Sequence, residues 1–115
     1  MSSRDLGNIG EKLALDLLKS KGYKILETNF STKFGEVDIV AMHQNTLKFI
    51  EVKTRKSLKY GRPEEAVNRQ KLEKIKTVAN IYTTTNNLGG HPQQIEVVSI
   101  FLSESNKHME IIPVI

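Results

Sequence analysis

Across residues 35–55, GEVDIVAMHQNTLKFIEVKTR, apolar residues alternate with polar ones on both sides of a short polar break, His43 to Thr46. A period of two marks strands with a buried face, and the break has the length and composition of a hairpin turn. A chain carrying this stretch builds a sheet around it. Alternate side chains of a strand share a face, so Glu36, Asp38 and Val40 point one way and Val37, Ile39 and Ala41 the other. On the second strand Phe49, Glu51 and Lys53 share a face opposite Ile50, Val52 and Thr54. A turn closing on Gln44-Asn45 sets His43 against Thr46, and the same register sets Asp38 against Glu51 and Glu36 against Lys53.

Directly opposed side chains on one face lie roughly 5 Å apart at Cβ, and like charges there are destabilising. Two carboxylates so placed need a counter-ion. A divalent cation meets that need, because Mg²⁺ binds through one or two carboxylates with phosphate oxygens and waters. Asp38 and Glu51 are the expected ligands, Lys53 projects beside the same ion, and Glu36 serves the reaction or only orients Lys53. One β-bulge in either strand would shift this pairing.

Gly35-Glu36-Val37-Asp38, a short hairpin, and then Phe49-Ile50-Glu51-Val52-Lys53-Thr54-Arg55 resemble the core of the PD-(D/E)xK nuclease superfamily. More narrowly, nearly the whole chain is similar to the YraN-like family of predicted bacterial endonucleases, related in fold to archaeal Holliday-junction resolvases. The resemblance implies an α/β, restriction-endonuclease-like fold over residues 1–115, a mixed central sheet flanked by helices in the order αβββαββ. It implies metal-dependent hydrolysis of nucleic-acid phosphodiesters by a small DNA endonuclease, with selectivity for branched DNA such as Holliday junctions as a finer expectation. The cofactor implied is Mg²⁺ or Mn²⁺, with a backbone carbonyl near Val52 completing the metal shell and Glu11, of the first-helix pair Gly10-Glu11, as a third acid. It also places a helix lysine at Lys71, with Gln70 beside it, and by analogy a two-fold homodimer. The chain departs from the family pattern at Ser31, where an arginine is usual, and at Gln94-Ile95-Glu96-Val97, where Arg-Phe-Asp-Val is common. Neither segment is therefore expected to supply an arginine contact.

The absence of cysteine removes disulfides, thiolate metal sites and a cysteine nucleophile, leaving oxygen or histidine as metal ligands. His43, His91 and His108 are scattered without metal-ligand spacing and read as surface residues. At 115 residues, 38% hydrophobic and 26% charged, the chain has the size and balance of one soluble domain. No apolar run is long enough to span a bilayer, and the opening Met-Ser-Ser-Arg-Asp lacks a signal-peptide core, which favours a cytoplasmic location. The net charge of +4 is concentrated: from Lys53 to Lys76 nine basic residues face three acids. Arg55, Lys56, Lys59, Arg62, Arg69, Gln70, Lys71 and Lys74 are the expected nucleic-acid contacts in that stretch.

Arg4 to Lys21 has the spacing of a helix, with Leu6, Ile9, Leu13 and Leu17 as its apolar stripe. Gly7, Gly10 and Ala14 form a flat strip that would let another backbone come close, and Glu11 lies at its edge, either exposed or turned towards the site. A strand is expected over Tyr23–Phe30, a polar connection over Asn29–Phe34, and a basic loop over Lys56–Pro63. Glu64 and Glu65 after the proline favour a helix start, and the helix runs to about Tyr82 with Val67, Ile75, Val78 and Tyr82 as its apolar face. Lys71 interrupts that face, and either snorkels to water or points into the site. A loop over Thr83–Gln93 and strands over Ile95–Leu102 and Met109–Ile115 complete the chain, Pro113 marking an edge strand.

Lys53 is expected to position water or stabilise developing charge, since neighbouring acids would raise its pKa and oppose a role as base. Two other readings compete with a nuclease: a nucleic-acid-binding module without turnover, and a protein-interaction adaptor using the basic helix. For Lys53 itself the alternative is a structural cross-strand salt bridge with no chemistry.

Overall fold

The hairpin closes as its alternation predicts. In the computed structural model, which describes residues 2–57, 65 and 67–114, Gln44 and Asn45 take φ of 50° and 64°. Paired positive φ values give a turn whose twist suits a two-residue hairpin loop. Pairing then runs from His43–Thr46 to Ile39–Ile50, in the expected register.

Around the hairpin the chain forms α1 (Ser3–Ser20), β1 (Lys24–Thr32), β2 (Gly35–His43), β3 (Thr46–Arg55), α2 (Arg69–Thr85), β4 (Gln93–Leu102) and β5 (Lys107–Pro113). This is the αβββαββ order of a mixed α/β sheet, compatible with a restriction-endonuclease-like fold. The strands lie side by side in sequence order, β1-β2-β3-β4-β5. Only β3 and β4 are parallel, and α2 connects them. β5, with Pro113, is an edge as expected.

Each face of the sheet has its own core. Val37, Val40, Leu47, Phe49 and Ile95 pack under Ile75, Val78, Ala79 and Tyr82 of α2. Ile39, Ala41, Ile50, Val98 and Ile100 pack with Ala14 and Leu18 of α1 and with Tyr23. Burying such a side chain is worth roughly 1.5–3 kcal/mol, so the two layers together hold both helices against the sheet.

α1 begins at a capping box in which Ser2 and Asp5 satisfy each other's backbone N–H groups. Its buried residues are Gly10, Ala14 and Leu18, while Ile9 of the leucine stripe stays exposed. The helix therefore docks on its small-residue strip. A Cβ on Gly10 would collide with Thr54 Oγ1, so glycine sets the distance between α1 and β3.

Several boundaries differ from expectation. β1 continues through the segment expected as a connection, because Phe30, Ser31 and Thr32 pair with Val37, Glu36 and Gly35. α2 starts at Arg69, not after Pro63: extended Asn68 (φ −86°, ψ 178°) caps it by accepting the Lys71 N–H. The helix continues to Thr85, past Tyr82, and Thr83 Oγ1 bonds back to the Ala79 carbonyl. Among the described residues no helix is long and apolar enough to cross a membrane.

Candidate active-site cleft

Backbone pairing between β2 and β3 stops at Ile39–Ile50, and beyond it the strands part. The cross-strand pairs expected for Asp38–Glu51 and Glu36–Lys53 therefore do not form as ladder pairs. On β1 the register against β2 shifts between Ile25 and Glu27, and it is then kept from Thr28–Ile39 to Phe30–Val37, past the left-handed Asn29 at φ 52°. Val37 packs on the α2 side with Val40, instead of sharing the α1 side with Ile39 and Ala41. The alternation of β2 therefore breaks at Asp38 without a change of register. β3 keeps its alternation, with Glu51 and Lys53 towards α2 and Val52 and Thr54 towards α1.

Asp38 fills the fork. Its Oδ2 accepts the Val52 N–H at 2.8 Å, in place of the strand partner that has turned away. A strand residue directs its N–H and C=O to the same side, so the Val52 carbonyl also faces the fork.

Glu51 lies next to Asp38 and is only 6% exposed. Burial first, and then the Asp38 carboxylate, push its pKa up to about 8, although Lys71 pulls the other way. Lys71 Nζ is 3.0 Å from Glu51 Oε2. The contact is an ion pair outside hydrogen-bond geometry, so among the described residues this buried oxygen has no hydrogen-bond partner.

Lys53 reverses one expectation. Its pKa is lowered, by burial first and then by the Lys71 ammonium, which together outweigh Glu51 and Asp38. Burial also pulls Lys71 down, but the Glu51 carboxylate more than offsets it and Lys71 ends above the usual lysine value. Of the two orientations considered for Lys71, the structure shows the one into the cleft.

The cleft has a volume of about 530 Å³. The hairpin contributes Gly35, Glu36, Asp38, Glu51, Val52 and Lys53 to its walls, and the α2 side contributes Asn68, Gln70, Lys71, Lys74 and Ile75. Gly35, at φ 146°, lets the chain enter β2 in a conformation that other residues rarely adopt. Glu36 is exposed and is paired through its backbone to Ser31, not to Lys53.

Other expected site residues lie apart from this cleft. Glu11 Oε1 accepts from Asn29 Nδ2 at 2.9 Å, and it shares a second cavity, on the α1 side, with Asp38, Lys53 and Arg55. Among the described residues no three acids or imidazoles converge as metal ligands. Lys56 is exposed near Leu6 and Leu102, and Arg69 is exposed outside the cleft lining. Lys59 and Arg62 lie outside the described residues. Sequence reasoning missed Asn68, whose signal was its type: asparagine is among the strongest helix N-caps.

A second buried polar cluster was also missed. On the α1 face Tyr23 OH donates to Glu96 Oε1 at 2.8 Å, and Lys48 Nζ donates to Glu96 Oε2 at 3.0 Å. Lys48 also bonds Gln94, and His43 stacks on Tyr23 with ring centroids 4.1 Å apart. Burial, then Glu96, raise the Tyr23 pKa. The available signal was Lys48, a charge inside an apolar strand that needs a partner.

Residues 10–100 match a family described as "Uncharacterised protein family UPF0102". A UPF0102 protein of Caldicellulosiruptor saccharolyticus is 41% identical over 111 residues, covering 96% of this chain and 94% of that protein. Another, from Caldanaerobacter subterraneus subsp. tengcongensis, is 37% identical over 110 residues, or 96% and 90% of the two chains. A third, from Clostridioides difficile, is 42% identical over 104 residues, or 90% and 91%.

Proposed function

The chain belongs to the uncharacterised family UPF0102, the YraN-like family its sequence resembles, and from that premise and the cleft's geometry we propose that it is a metal-dependent DNA endonuclease. One observation carries the reading: two neighbouring carboxylates, Asp38 and Glu51, meet in a fork where, among the described residues, the buried Glu51 oxygen has the Lys71 ion pair but no hydrogen bond, and its pKa stays raised to about 8. An acid left in that state gains from a cation.

The donor set suits a hard divalent ion. Carboxylates and a carbonyl suit Mg²⁺ or Mn²⁺, and among the described residues no thiolate or imidazole lines the cleft. Asp38, Glu51 and the Val52 carbonyl are the proposed holders of the ion, while Glu11 lines the second cavity, in whose wall Asp38 also stands. Bound there, Mg²⁺ or Mn²⁺ supplies a Lewis acid for the phosphoryl oxygens and lowers the pKa of a nearby water.

Lys53 faces the same space, and its ammonium, poorly solvated and next to Lys71, is stabilised when a phosphate enters. Its lowered pKa also brings proton exchange with the attacking water within its reach. Gln70, Lys71 and Lys74 offer donors along the α2 wall to the phosphates on either side. Hydrolysis adds water across the P–O bond: the hydroxyl stays on phosphorus and the leaving oxygen takes the proton. A preference for branched DNA and a two-fold dimer are finer proposals resting on the fold resemblance.

Cleavage of linear and branched DNAs with Mn²⁺, comparing wild type with Asp38→Asn, tests the reading. The variant is expected to lose at least about a thousandfold in rate, and equal cutting by both proteins would sink the assignment. Calorimetric titration with Mn²⁺ alone reads the metal site separately from turnover. A wild-type protein that binds Mn²⁺ and DNA but does not cut would favour the non-catalytic binding module.

A further inference from the structure

Two grooves meet at the fork. The cleft opens on the α2 side, a second cavity of about 390 Å³ opens on the α1 side, and Asp38, Val52 and Lys53 stand in the walls of both. The second is completed by Gly7, Asn8 and Glu11 of α1 and by Thr54 and Arg55 at the end of β3.

Two features distinguish this groove from a packing gap. The side chain of half-buried Arg55 makes no ion pair among the described residues, and its Nε is buried without a hydrogen-bond partner there. A buried donor without an acceptor is costly, and a guanidinium is shaped to engage phosphate oxygens in pairs. The second feature is the helix wall. Gly10 presses α1 against Thr54, while Gly7, one turn earlier, presents bare backbone where a Cβ would meet nothing within 4 Å. Gly7 thus leaves room at the helix wall for a ligand to approach the backbone.

We infer that this groove takes the unpaired nucleotide next to the phosphate held in the cleft. A single DNA strand then runs past Asp38, Val52 and Lys53, which line both cavities, from the α2 side to the α1 side. Arg55 engages the flanking phosphate, and the Asn8 amide, a donor and an acceptor, reads the base edge. A stacked duplex is stiff over many base pairs and does not turn from one side of the sheet to the other within one nucleotide, whereas a single strand does. The substrate class is therefore DNA with an unpaired stretch at the cut. The inference rests on the nuclease reading only in taking the cleft as the site of the neighbouring phosphate.

The test is fluorescence anisotropy in EDTA, with the full chain and a labelled single strand of about twelve nucleotides beside a duplex of equal length. Gly7→Met fills the groove from a helix position where methionine is favoured over glycine, and Arg55→Gln removes the guanidinium. Thermal melts confirm that both variants fold. Each is expected to bind the single strand about tenfold more weakly, and Arg55→Gln to lower the salt slope by about 0.7. Duplex affinity of Gly7→Met is expected to stay at the wild-type value. Wild-type single-strand affinity in both variants would overturn the groove and leave the cleft standing. Absence of any single-strand binding by the wild type would overturn it too, and the Mn²⁺ titration then reports separately on the metal site.

Discussion

Two buried glutamates, each with a lysine Nζ 3.0 Å from its Oε2, sit on opposite faces of one sheet. Glu96 has both oxygens hydrogen-bonded, one by Tyr23 and one by Lys48. Glu51 has a second carboxylate beside it, an ion pair without hydrogen-bond geometry, and a pKa raised to about 8. The distance is the same and the chemistry is opposite. A satisfied buried ion pair holds a fold in one arrangement, whereas an under-satisfied acid keeps binding capacity in reserve.

Removing each carboxylate sharpens the contrast. The largest effect is expected from Glu51→Gln: cleavage falls at least about a thousandfold and Mn²⁺ binding drops below calorimetric detection. The same substitution at Glu96 leaves the Mn²⁺ titration unchanged. Glu96→Ala instead costs about 3–5 kcal/mol of stability, because Lys48 is left buried without its counter-ion. Urea unfolding measures that cost, and a neutral result would place Glu96 in the same class as Glu51.

The pH dependence of the metal-free protein carries the next effect. Glu51 titrates at about 8 in the folded chain against an ordinary value of 4.5, so between these values the folded state holds the extra proton. Stability is then fullest below about pH 4.5 and falls as pH rises towards 8, by up to about 1.4 kcal/mol per unit. Glu51→Gln should flatten this slope in melts recorded across the range; an unchanged slope would assign it to other groups. The smallest effect is Tyr23→Phe, which removes one hydrogen bond to Glu96 and is expected to cost about 1 kcal/mol in the same unfolding assay.

The sequence made the hairpin legible because period-two alternation and a Gln-Asn turn are local properties. The register down to Ile39–Ile50 and the shared face of Glu51 and Lys53 followed from them. What stayed hidden depended on partners far along the chain. The break at Asp38 lies beside the left-handed Asn29 of β1, and the lowered Lys53 pKa comes from burial first and then from Lys71 on α2. Neither can be read from the spacing of residues within the hairpin. The docking face of α1 was half legible: the glycine strip was visible, but only Thr54 shows that Gly10 makes the closest approach to the sheet, with Leu13 and Leu17 of the stripe packing at its side and Ile9 exposed. α2's start was missed because the two glutamates after Pro63 suggested an earlier one than the Asn68 cap provides.

Asp38 Oδ2 does two jobs at once, since it carries negative charge and it occupies the acceptor position that a neighbouring strand would otherwise fill for Val52. Asparagine keeps a carbonyl oxygen for the second job while giving up the first, whereas alanine gives up both. The wedge between the strands is thereby separable from its ionic character, and a pair of near-isosteric replacements can tell scaffolding from electrostatics at a single atom.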